Sequence, residues 1–391
     1  MILIEQAYEL VMRTAYTLDK EQVELNDSLN RILAQDVVSD IEMPPFNKSA
    51  MDGYACRRED INNELEVIEV IAAGKAPTKT INKNQCSKIM TGAEVPEGAD
   101  CVIMVEHTEE IDSKKIRVIK ENPNDNISLK AEDVKINDVV LKEGTKIGAQ
   151  HIAVMASVGC VKPIVVKKPK VGIITTGNEI VEPNNKPQKS QIRNSNAYQL
   201  IAQINNMGAI PKYYGIARDD KEDTRKMIET SLSENDVTLL TGGVSMGDFD
   251  YVEDIFNEIG INILFNSLAV KPGKPTTFGV YENKRCFGLP GNPVSSFIQF
   301  EILAKPLLYS MMGFDFKPLN IKLPMSVDYN RRNTKRKSFI PIIITDDGEV
   351  MPVDYHGSAH IHSLSEAHGI ISVPIGCPTL KKGEIIDVRQ I

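Results

Sequence analysis

Val237-Thr-Leu-Leu-Thr-Gly-Gly-Val-Ser-Met-Gly-Asp-Phe-Asp-Tyr251 is the stretch whose reading decides the fold. It opens as a short, mostly apolar run of strand length. Gly242 and Gly243 then break the run, where a backbone without Cβ can turn tightly or lie close to a ligand. Asp248 and Asp250 follow, and Val252, Ile255, Phe256 and Ile259 recur at helical spacing. A strand, a glycine turn, acids and a helix start describe a ligand site at the carboxyl edge of an α/β sheet. The same residues would also serve as a tight loop with two solvated acids.

The neighbouring segments weigh against the loop reading. Val171-Gly-Ile-Ile-Thr175 is strand-like and runs into Thr176-Gly-Asn-Glu179. A helix is expected from Asn194 to Met207, with Ala197, Leu200, Ile201 and Ile204 on one face. Tyr213-Tyr-Gly-Ile-Ala217 reads as a strand ending in Arg218-Asp-Asp220, and a helix from Lys221 to Leu232 follows. Strands alternating with helices at this spacing predict a doubly wound parallel sheet over residues 169–315. Glu179, Asp219 and Asp250 each fall just after a strand. Their convergence on one edge would suit a hard, oxygen-preferring cation such as Mg2+.

Two later stretches point to an anion. Val270-Lys-Pro-Gly-Lys-Pro-Thr276 fixes its backbone with proline and glycine, so Lys271 and Lys274 project in a defined way and suit a small dianion. A flexible basic linker is the alternative. Pro290-Gly-Asn-Pro-Val-Ser-Ser296 places Asn292 at an N-cap and Pro293 at the first position of a helix running through Phe297, Phe300, Ile302 and Leu303. A strand meeting a helix start through glycine is an anion site by geometry.

The rest of the chain divides around this unit. At 391 residues it is too long for one core. Ile4, Ala7, Val11, Ala15 and Leu18 predict an amphipathic helix, and a second short helix is expected around Ser28 to Ala34. Residues 1–41 and 135–168 together predict a discontinuous helical linker domain, with a helix carrying Ile152, Val154 and Met155. Residues 42–134 read as an inserted β-rich domain, from Leu65–Ile71, Cys101–Val105 and Ile116–Ile119. Within it, Asp52 before Gly53 and Thr91 before Gly92 could face a ligand or simply cap turns. Residues 316–391 read as a further β domain.

Composition narrows the function. A formal charge of −8 argues against general nucleic-acid binding. Six scattered cysteines without a C-x-x-C pair form neither a zinc site nor a secreted disulfide framework. No signal peptide and no membrane-spanning run is expected, so a cytoplasmic setting is the default. Histidines at 356, 360, 362 and 368 cluster, and strand alternation would put His360 and His362 on one side. No cysteine completes a zinc set there.

Taken in order, Pro44-Pro-Phe-Asn-Lys-Ser-Ala-Met-Asp-Gly-Tyr-Ala55, Met90-Thr-Gly-Ala93, Thr241-Gly-Gly-Val-Ser-Met-Gly247 with Asp250-Tyr251, Lys271-Pro-Gly-Lys-Pro275 and Leu289-Pro-Gly-Asn-Pro-Val-Ser295 resemble the MoeA/gephyrin E-domain family, the molybdopterin molybdenumtransferases. The resemblance covers essentially the whole chain. It implies a four-domain homodimer with a central molybdopterin-binding-type α/β domain, a C-terminal β barrel and an active cleft between subunits. The implied reaction joins molybdate to adenylylated molybdopterin and releases AMP, with Mg2+ required. By resemblance Lys271 and Lys274 hold molybdate, helped by Ser295, Arg336 and Ser358, with Pro290 and Pro293 beside them. Glu179, Asp219 and Asp250 hold Mg2+, and Asp52, Thr91 and Asp133 orient substrate from the other subunit. Molybdopterin adenylyltransferase is an implied partner.

The chain departs from the family pattern at several positions. Phe46-Asn-Lys-Ser49 adds a lysine, Gly177-Asn-Glu-Ile180 has Asn178 for an acid, and Lys130-Ala-Glu-Asp133 replaces an Arg-Gly-Glu-Asp pattern. The alternative functions are a molybdopterin adenylyltransferase, which needs only the α/β unit, and a non-enzymatic gephyrin-like scaffold.

Overall fold

The computed structural model describes residues 1–120, 124–218, 220–243 and 252–391. The opening strand, Val237–Thr241, lies inside a six-stranded sheet. Its order is Ile210–Ala217, Lys170–Thr176, Val237–Thr241, Lys284–Leu289, Thr277–Tyr281, Asn262–Phe265. The first four strands are parallel and the last two antiparallel, so the expected parallel sheet carries an antiparallel hairpin edge. Strand order reverses between Lys170–Thr176 and Val237–Thr241, the crevice where such sheets bind ligands.

Period-two alternation along the strands divides their side chains between two cores. Val171, Ile173, Val237, Leu239, Phe287 and Leu289 face helices Asn196–Asn206 and Pro293–Gln299. Ile174, Leu240 and Cys286 face helices Lys221–Glu234 and Val252–Ile259, through Ile228, Ile255 and Phe256. Each fully buried aliphatic or aromatic side chain contributes roughly 1.5–3 kcal/mol of transfer free energy. These paired faces therefore fix the strand ends that form the site.

The inserted β region forms a second six-stranded sheet: Cys101–Met104, Gly53–Cys56, Gln85–Ile89, Glu64–Ile71, Lys115–Val118, Thr108–Asp112. Gly53 is required there, because a Cβ would overlap the carbonyl oxygen of Ile103 on the next strand. All six cysteines are free.

A third sheet runs Val270–Lys271, Lys337–Ile344, Gly369–Val373, Ile385–Gln390, Asn320–Pro324, with Val350–Pro352 paired to Lys337–Ile344. Its first strand belongs, by sequence, to the central unit. Val270 pairs with Lys337 and Lys271 with Ser338, in parallel register.

Several expectations are corrected. No helix covers Ser28–Ala34; a 3-10 turn at Leu25–Asp27 is followed by bridges at Ile32 and Leu33. So short a segment nucleates a helix poorly. Its amides find partners elsewhere, with Asn30, Leu33 and Ala34 donating to the carbonyls of Ile147, Thr145 and Ile164. The first helix ends at Arg13, although Ala15 and Leu18 still pack on the core. The helix begun at Pro293 turns π-helical over Phe300–Ala304 before resuming at Lys305–Met311. Pro306 offers no N–H and crowds the carbonyl four residues back, and the wider turn accommodates it. His360 and His362 do not alternate along a strand, because residues 361–364 form a 3-10 turn. The rings of His356 and His360 stack at 5.0 Å. Lys167-Lys-Pro-Lys170, which reads from the sequence as a linker, is held at both ends, with Lys167 N–H donating to Asp19 O at 2.8 Å and Lys170 N–H to the Asp236 carboxylate at 2.8 Å. Among the described residues no helix is long and apolar enough to cross a membrane.

Candidate active site

Three parallel strands end side by side, at Thr175-Thr176-Gly177, Thr241-Gly242-Gly243 and Pro290-Gly291. They floor a cleft of about 1030 Å3 whose far wall is made by segments beside and between the strands of the third sheet, through Arg336, Tyr355, Ser358 and His362. Two buried asparagines tie the floor together. Asn194 accepts from Ala197 N–H at 3.1 Å, which caps the helix, and donates to Thr175 Oγ1 and Tyr213 OH. Asn196 donates to Thr241 Oγ1 at 2.7 Å and to Gly291 O at 2.8 Å, joining two strand ends. Sequence reasoning marked this helix start but gave neither asparagine a role at the site. The Asn-Ser-Asn cluster before an apolar periodic run was the available signal.

The lysine turn lies on the cleft wall. Pro272 and Gly273 are buried while Lys271 and Lys274 are exposed and line the cleft. This excludes the flexible linker: Leu268 N–H donates to Lys274 O at 2.9 Å, and Lys271 is paired in the third sheet. Arg336 lines the cleft and donates to Val270 O at 3.2 Å. Ser358 is bound from the helix start opposite. Asn292 Nδ2 donates to its hydroxyl at 2.9 Å and Val294 N–H to its carbonyl at 3.1 Å. Asn292 thus occupies the N-cap position, but its side chain serves Ser358 instead of capping. Ser295 is buried and lines the cleft with Pro290 and Pro293.

Charge in the cleft favours an anion. Its described lining residues include four cations, Arg193, Lys271, Lys274 and Arg336, against one carboxylate, Glu179. Glu179 is exposed, in the turn after Lys170–Thr176. On the same strand end the Thr176 hydroxyl, packed against Gly242 and Gly243, is buried without a partner. Asp219 and Asp250 lie outside the described residues, and among the described residues no set of three or more His, Cys, Asp or Glu is placed to hold a metal. Tyr355, on the far wall, has its phenol pushed up to about 12 by burial, so it stays a neutral hydroxyl.

Asp52, Thr91 and Asp133 are not among the residues that line this cleft. They belong to the inserted sheet and its adjoining loops. Asp52 Oδ1 accepts from Thr91 N–H at 2.6 Å and from Thr91 Oγ1 at 2.9 Å. Asp133 N–H donates to Met43 O at 3.0 Å. All three side chains are exposed.

A doubly wound unit with an anion cleft at its switch point is the architecture of a nucleotide- or cofactor-handling protein. Residues 172–310 match the family profile described as "Probable molybdopterin binding domain". Residues 2–159 match the "MoeA N-terminal region (domain I and II)" and residues 322–391 the "MoeA C-terminal region (domain IV)". The chain is 37% identical to a molybdopterin molybdenumtransferase of Staphylococcus epidermidis, covering 99% of this chain and 95% of that one. It is 33% identical to one of Staphylococcus aureus, covering 98% and 94%. The crystal structure of the molybdopterin biosynthesis MoeA protein from Pyrococcus horikoshii OT3 superposes with a TM-score of 0.87 at 30% identity, covering 100% of both chains. The chain belongs to the MoeA family of molybdopterin molybdenumtransferases.

The Asp52–Thr91 pair makes a pH prediction. Hydrogen bonds from the Thr91 amide and then its hydroxyl hold the Asp52 carboxyl below its ordinary value. These bonds favour the charged form, so their stabilisation is present above the ordinary carboxylate range and is lost as pH falls through the depressed value. Thr91→Val removes only the hydroxyl. The Asp52 titration followed by carboxyl NMR is expected to move part of the way back up; an unmoved midpoint would show that the hydroxyl is not engaged.

Proposed function

We propose that this protein inserts molybdenum, supplied as molybdate, into adenylylated molybdopterin with release of AMP. The observation that carries the reading is the cationic turn, Lys271 and Lys274, held on a fixed backbone and lining, with Ser358, the cleft that opens at the switch point of a molybdopterin-binding-type unit. Molybdate is a dianion, and two ammonium groups held on a rigid backbone bind it without ordering a loop. Arg336, Ser295 and Ser358 supply further donors, and Pro290 and Pro293 shape the wall. The cleft, at about 1030 Å3, stands at the upper end of small-molecule sites, which run to roughly 1,000 Å3.

Glu179, with Asp219 and Asp250, is the proposed Mg2+ set. The fit is chemical: a hard carboxylate, Glu179, and the unpartnered Thr176 hydroxyl both belong to the cleft lining. When bound, the cation offsets negative charge on the phosphoanhydride as AMP departs. Asp52, Thr91 and Asp133 are proposed to act in the cleft of a partner subunit, because in their own chain they do not line it. A bare adenylyltransferase would need neither flanking region, and this chain matches the family across both.

Purified protein given adenylylated molybdopterin is expected to release AMP only when molybdate is added. Release without molybdate would refute the insertase reading. Lys274→Gln is expected to raise the molybdate concentration for half-maximal turnover about tenfold at fixed ionic strength, a change equal to about 1.4 kcal/mol. The affinity for the adenylylated pterin should change far less.

Subunit complementation tests the shared cleft. Asp52→Ala and Asp250→Ala chains are each expected to be inactive, and mixed dimers to regain one intact cleft in two. If verified subunit exchange restores no AMP release, the cross-subunit assignment is wrong.

A further inference from the structure

The lysine turn rests on a side chain with no assigned role. Gln299 is fully buried at the last α-helical residue before the π-helical segment Phe300–Ala304. Its Nε2 donates to the carbonyl of Pro272 at 3.1 Å. Gly273 sits directly above the same amide, with φ of 101°, and a Cβ there would overlap Gln299 Nε2. The glycine is therefore required twice, by its left-handed backbone and by the glutamine packed against it.

The neighbouring carbonyls are held in the same way. Gly273 O accepts from Thr276 Oγ1 at 2.8 Å, and Thr276 is itself fully buried. Lys274 O accepts from Leu268 N–H at 2.9 Å and Thr276 N–H at 3.0 Å. Three successive carbonyls of the turn are thus each bound to a protein donor. A carbonyl oxygen turned toward a bound oxyanion would repel it, so the direction of these dipoles matters as much as the two ammonium charges. Of the three, only Pro272 O depends on a side chain from a distant helix. Prolines 272 and 275 contribute no N–H of their own to hold the turn.

We infer that Gln299 is a positioning residue for the oxyanion site: its buried amide draws the Pro272 carbonyl away from the cleft and sets the height of Gly273, and so aims Lys271 and Lys274. The inference rests on the proposed molybdate reading of that turn. Gln299 does not reach the ligand; it acts through backbone it supports. The π-helical segment that follows it belongs to the same device, since it lets the helix pass Pro306 while Gln299 stays beneath the turn.

The test uses the full chain and two independent readouts. Molybdate binding is measured by isothermal titration calorimetry, and AMP release is measured with each substrate varied in turn. Gln299→Leu keeps most of the volume and removes the donor, leaving Pro272 O buried without a partner. The molybdate Kd is expected to rise about tenfold, with the KM for molybdate rising in parallel. The KM for adenylylated molybdopterin is expected to stay within about twofold of wild type, a split that a general loss of structure would not give. Gln299→Asn keeps the amide but withdraws it by one C–C bond, about 1.5 Å. It is expected to weaken molybdate binding at least threefold, and it carries the same test should Gln299→Leu fail to fold. An unchanged molybdate Kd in a folded variant, beside a measurable wild-type Kd, would overturn the positioning role and leave the insertase reading standing. A wild-type chain that binds no molybdate would overturn both.

Discussion

The segment Val270–Lys274 joins two sheets. By sequence it leads into the hairpin edge of the central sheet, yet Val270 and Lys271 pair with Lys337 and Ser338 of the C-terminal sheet. Arg336 adds a bond to Val270 O, and Gln299 holds Pro272 O from below. A short turn bound on three sides has little freedom left, so the entropy of ordering two lysines is met in folding and not in binding. The lysine wall of the cleft takes its position from this junction. The Ser358 loop is fixed by the helix start at Asn292 and Val294.

The rest of the candidate chemistry is distributed by topology. Parallel strands bring Glu179 and the glycine turns to one edge because all their carboxyl ends point the same way. The inserted sheet carries Asp52 and Thr91 away from that edge, on a close strand contact that tolerates only Gly53. An acid and hydroxyl so well bonded to each other, and so exposed, suit a role toward another chain.

Much of this was legible in the sequence. Val237–Thr241, Lys170–Thr176 and the helices after them followed from short apolar runs, glycine breaks and helical spacing, which are local signals. Lys271 and Lys274 were marked by a turn fixed with proline and glycine, Ser295 and Ser358 by the family resemblance, and the structure brings all four to one cleft. Gln299 was not legible: it stands between apolar Ile298 and Phe300 with no motif to mark it, and its partner lies 27 residues away in the chain. The same holds for Asn196, which reaches Gly291 across 95 residues. The failed helix at Ser28–Ala34 has a similar cause, since its backbone partners at 145–147 and 164 are set by tertiary structure. Asp219 and Asp250 were read from strand spacing and lie outside the described residues.

The central claim is that the turn at Lys271–Lys274 is an oxyanion site. Anomalous scattering at the molybdenum edge, from crystals of the protein soaked in molybdate, tests it without any substrate or turnover. The account predicts one dominant molybdenum peak in the cleft, within hydrogen-bonding reach of Lys274 and Ser358. A dominant peak elsewhere, with none at the turn, would contradict it.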